Sequence, residues 1–136
     1  MTGIRRQTAA AAAALAILAA SCAGGRTTLG TGASVCFRAL PPAKAAVHDK
    51  GRLVGVRRVS AATLKKRIPN DRTLATLPDQ QLCVVAFDGS FDAPQVTGAV
   101  GNAHGRYALV AVAIKRPDVV RAFVTNRLPT RFNHLH

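Results

Sequence analysis

From residue 81 to residue 125 the chain sets long apolar runs between short polar breaks, and this pattern predicts most of the fold. Residues 81–87 (Gln-Leu-Cys-Val-Val-Ala-Phe) are apolar on both sides of a period-two repeat, which predicts an interior strand ended by the turn signal Asp88-Gly89. Residues 106–115 read the same way. Tyr107, Leu109, Ala111 and Ala113 fall on one side and Val110, Val112 and Ile114 on the other, so this segment belongs in the middle of a sheet. Arg116-Pro117-Asp118 makes a tight turn, and residues 119–125 return as a hairpin partner. The Val120, Ala122 and Val124 side of that partner is apolar, and the Arg121, Phe123 and Thr125 side is mixed.

Upstream the pattern is shorter and more helical. Residues 35–40 suit either a short strand or the lead-in to a helix, and Pro41-Pro42 then opens a helix over 42–48 that Asp49-Lys50-Gly51 ends. Residues 52–59 set Val54 and Val56 against Arg57, as a strand near a sheet edge does. Ser60 is placed to cap a helix over 61–68, which Pro69 stops, and Lys65, Lys66 and Arg67 fall in its last turn, where positive charge suits the helix dipole. Residues 70–80 read as a surface loop. So do residues 90–105, with Gly98, Gly101 and Gly105 and a weak helical turn started by Asp92 and Pro94. The sum is an α+β fold: a small antiparallel sheet of about four strands with one or two helices packed on one face.

The first residues carry a different signal. Arg5 and Arg6 precede an apolar run over 8–20, and Ser21-Cys22-Ala23-Gly24-Gly25 closes it with small residues, the layout of a bacterial export signal. The run holds about 13 residues, whereas a helix needs roughly 20 to cross a bilayer. Leu18-Ala19-Ala20-Ser21-Cys22 resembles the lipobox of bacterial lipoprotein precursors. The resemblance implies a lipidated Cys22 as the new N-terminus and a protein held at the extracytoplasmic face of the cell membrane. It departs from the usual pattern in having Ala19 three positions before the cysteine, which leaves cleavage by the ordinary signal peptidase near Ser21 or Ala23, and hence secretion, as the alternative. The expected organisation is a signal peptide over 1–21, a flexible tether over 22–33, one domain over 34–128 and a polar tail over 129–136. With Cys22 lipidated, Cys36 and Cys83 remain as an even pair in an oxidising compartment, and a disulfide between them is expected.

Charge narrows the function classes. The chain has 19 Lys and Arg against 6 acidic residues, a formal net charge of +13, and every acid is aspartate. Without glutamate, paired-Glu mechanisms and the His-Glu zinc-protease motif cannot be built. Asp88 and Asp92 flank Gly89-Ser90-Phe91 but lack the ligand-rich loop calcium prefers. Ser90 lies outside a Gly-x-Ser-x-Gly elbow, and a Cys36 nucleophile with His48 or His104 as base competes with the disulfide. His134 and His136 read as solvated terminal residues. No metal site and no cofactor is expected.

A basic surface attracts polyanions, and Arg57, Arg58, Lys65, Lys66, Arg67 and Arg72 are the candidate anion-binding residues. One tyrosine and no tryptophan leave no stacking platform, so no specific nucleic acid is expected. The expected partners are the membrane, through the N-terminal lipid, and an anionic lipid or wall polymer. These readings converge on an exported, membrane-anchored lipoprotein with a small non-enzymatic binding or accessory domain. The alternatives are a small secreted enzyme using the 88–105 region and a purely structural envelope protein.

Overall fold

The computed structural model describes residues 35–129. The expected signal peptide, Cys22, the tether and all but the first residue of the polar tail lie outside the described residues. A 3₁₀ turn, Phe37–Ala39, runs directly into helix α1, Leu40–Ala46, whose first turn carries the two prolines. Strand β1, Arg52–Ser60, passes into helix α2, Ala61–Arg67, and Ser60 Oγ accepts a hydrogen bond from the Thr63 amide at 3.1 Å, the expected N-cap. Helix α3, Arg72–Thr76, precedes β2, Gln81–Asp92; a second 3₁₀ turn, Ala93–Gln95, and a loop lead to β3, His104–Ala113, and β4, Val119–Thr125. The four strands form one antiparallel sheet in the order β1-β2-β3-β4. The small α+β architecture matches the expectation from the apolar pattern.

The helices, expected on one face, divide between the two faces of the sheet. α1 and the turn before it bury Cys36, Ala39, Ala43 and Val47 on Cys83, Val85, Val110 and Val112. α2 and α3 bury Ala61, Leu64 and Leu74 on Leu82, Val84, Leu109 and Ala111. The cause lies in β2 and β3, which are apolar on both sides. Leaving either face bare would forgo about 25 cal/mol for each Å² of apolar surface. Helices this short gain their stability from such docking.

Two local expectations change. Asp88-Gly89 does not end β2: the pairing with β3 is interrupted between Asp88 and Phe91 and then resumes to Asp92, so the dipeptide sits in a bulge. Phe91, 3 % exposed, carries the strand onward by entering the core. Its ring lies under Gly51, where an added Cβ would meet it at 2.6 Å and the backbone has φ +80°, so glycine is required on both counts. Residues 70–80 contain α3 rather than loop alone, because Asp71 caps it by accepting from the Leu74 amide at 3.0 Å.

Cys36 and Cys83 are joined in a disulfide, Cα to Cα 5.5 Å, which fastens the entry of α1 to the start of β2. At the β4 edge the Ala122 amide donates to the Gly98 carbonyl at 2.9 Å, and Ala99 forms a parallel bridge to Ala122. Among the described residues β1 and β4 are the outer strands of the sheet, and no helix is long and apolar enough to cross a membrane.

Candidate functional site

Strand alternation builds one continuous row across the α2/α3 face: Arg57 pairs with Val84, Val84 with Ala111, and Ala111 with Arg121. The arginine at the β4 end is committed to the fold. Its guanidinium reaches the Asp71 carboxylate at 2.6 Å, and the two side chains are 14 % and 5 % exposed. The arginine at the β1 end instead lines a cleft of about 440 Å³ between α2 and the sheet. Val84, Leu109 and Phe123 form the floor, Leu64 of α2 and Ile68 just past its end form one wall, and Arg57, Arg67 and Arg127 stand around the rim. Leu109 and Phe123 are direct cross-strand partners, and Phe123 remains only half-buried.

The six basic residues marked in the sequence are thus sorted by the fold. Arg57 and Arg67 share the cleft. Arg58 also lines that cleft, but it pairs with Cys83 and so turns its side chain to the α1 face, where it donates to Gln81 Oε1 at 3.3 Å and lines a neighbouring cleft of about 400 Å³ with Asp79 and Lys115. Lys65 donates to the Leu77 carbonyl and so ties α2 to the end of α3. Lys66 and Arg72 are exposed and line none of the described clefts. Arg127 was not among the sequence candidates. Its signal was the period-two series Arg121, Phe123, Thr125, which carries on to Arg127 past the end of β4.

The 88–105 region gathers charge of both signs. Asp92 and His104 are cross-strand partners, and His104 Nδ1 bonds Asp92 Oδ1 at an exposed position. Asp88 is gripped separately: Arg106 donates to it through Nε and Nη2, both at 2.9 Å, and Arg52 lies 3.9 Å away. The Arg106 hydrogen bond, with the charges of Arg106 and Arg52, holds the Asp88 carboxyl below its ordinary pKa against a smaller opposing effect of burial. The same bond raises the Arg106 guanidinium. Arg106 also lies over the Tyr107 ring, 5.2 Å from its centre. None of Asp88, Asp92 and His104 lines the three described clefts. Cys36 is held in its disulfide. Among the described residues no group of three or more His, Cys or Asp side chains is arranged to hold a metal ion.

Compared with protein-family models, curated proteins and solved structures, the chain finds no match.

Proposed function

We propose that this protein is an exported, lipid-anchored, non-enzymatic binding module of the cell envelope, and that it meets anionic partners through the arginine-rimmed cleft. One observation carries the reading: Arg57, Arg67 and Arg127 line a single concavity with an apolar floor. Three of the six aspartates are bonded to other side chains: Asp71 and Asp88 in ion pairs with arginines, and Asp92 to His104. The export-type leader and the lipobox-like Leu18–Cys22 segment support the address, and the net charge of +13 supports attraction to anionic lipid or wall polymer.

Two measurements test it. The intact mass of protein recovered from host membranes should match a chain beginning at diacylglyceryl-modified Cys22, and reduction should add two hydrogens. Arg67→Gln with Arg127→Gln should weaken binding to anionic vesicles or wall polymer, and the loss should shrink as salt screens the interaction. A full-length chain with free thiols would remove the address, and unchanged binding would remove the cleft from the function.

A further inference from the structure

We infer that the cleft takes a single-chain anionic amphiphile, a long-chain fatty acid, with its acyl chain on the Leu109–Phe123 floor and its carboxylate at Arg67 and Arg127; this rests on the binding reading above and specifies its ligand. Three features of the concavity carry the inference. Its volume, about 440 Å³, lies within the range of small-molecule sites, roughly 300–1,000 Å³. Its floor is apolar, and Phe123 and Ile68 are left half-buried there, so a hydrocarbon chain laid on them removes apolar surface from water that the fold alone does not cover. Its rim is cationic, and among the described residues neither Arg67 nor Arg127 is in an ion pair.

Each simpler ligand leaves part of the site unused. A free inorganic anion or a hydrophilic wall polymer would engage the arginines and leave the floor wet. A neutral lipid would cover the floor and leave the rim guanidinium groups without a counter-charge. A carboxylate joined to one hydrocarbon chain satisfies both, and the planar guanidinium fork matches a carboxylate in two parallel hydrogen bonds. The rival occupant is the segment beyond Pro129, which lines the cleft, because that segment contains Phe132 and Leu135. As an occupant it would also bring Arg131, His134 and His136 to a rim that is already positive. Charge complementarity therefore favours the fatty acid.

The test is calorimetric titration of the full chain carrying Cys22→Ser, so that the added molecule supplies the only acyl chain. The probes are palmitate below its aggregation concentration, the alcohol of the same chain length, and acetate. One palmitate should bind per chain. The alcohol should bind about ten-fold or more weakly, as expected for loss of a charge-assisted contact, and acetate should not bind detectably. Arg67→Gln with Arg127→Gln, both at exposed positions, should bring palmitate down to the affinity of the alcohol while cooperative unfolding stays unchanged. Equal binding of acid and alcohol, or no effect of the two arginine substitutions, would overturn the inference. So would palmitate binding that appears only after residues 130–136 are removed, which would make the tail the occupant. Anionic vesicle or wall-polymer binding without palmitate binding would overturn the fatty-acid assignment and leave the broader binding function standing.

Discussion

Asp71 and Arg121 join α3 to β4 through a near-buried ion pair of 2.6 Å, and the same carboxylate caps α3 at the Leu74 amide. One aspartate thereby starts a five-residue helix and pins it to the sheet. Arg121 Nε is buried without a hydrogen-bond partner among the described residues, so the guanidinium depends on Asp71 for its charge compensation.

Removing either partner alone therefore leaves an uncompensated charge out of water. Arg121→Ala is expected to destabilise the domain by about 3–5 kcal/mol, read from the urea midpoint. Asp71→Ala should cost at least as much, since it also removes a cap of roughly 1 kcal/mol. The double variant should be less harmful than the sum of the two. Simple additivity in that cycle would mean the pair is not coupled.

The Cys36–Cys83 bridge spans a sequence separation of 47 residues, for which the chain-entropy relation gives about 4 kcal/mol of stabilisation. Substituting both cysteines with alanine should lower stability by that order. Amide exchange should accelerate first in α1, a seven-residue helix that has little stability apart from its docking. If α1 amides kept their protection in the reduced or substituted protein, the bridge would not be what holds that helix.

Asp88 supplies a pH dependence with a definite sign. Its folded pKa lies below the ordinary value of 3.8 because of the Arg106 bond, so near that pH the unfolded chain binds more protons than the folded one. The contribution is fully present above the ordinary value and is lost as pH falls through the depressed folded one. The stability gap between the natural protein and Asp88→Asn should be constant at neutral pH and close as pH drops below about 4. Guanidine is itself a salt, so urea is the denaturant of choice here. A gap that widens in acid would contradict the assignment.

What the sequence made readable follows from signal length. β3 and β4 carry long period-two runs, and Ser60 stands directly before an apolar-periodic helix, so these were legible within a residue or two. α3 was not, because five residues offer no full helical period, and its only local mark was Asp71 three positions before Leu74. Asp88-Gly89 is a sound turn signal in isolation. It was overridden by Phe91, whose burial required the strand to continue, a tertiary effect that no short window contains. The cleft was half visible: Arg57 and Arg67 stood out as basic residues, whereas Phe123, Leu109 and Arg127 reach the same hollow only through the register of β3 and β4.

The short 98–99 segment laid against Ala122 blunts the β4 edge at the middle of that strand. A second copy that paired along the whole of β4 would first have to peel that segment away.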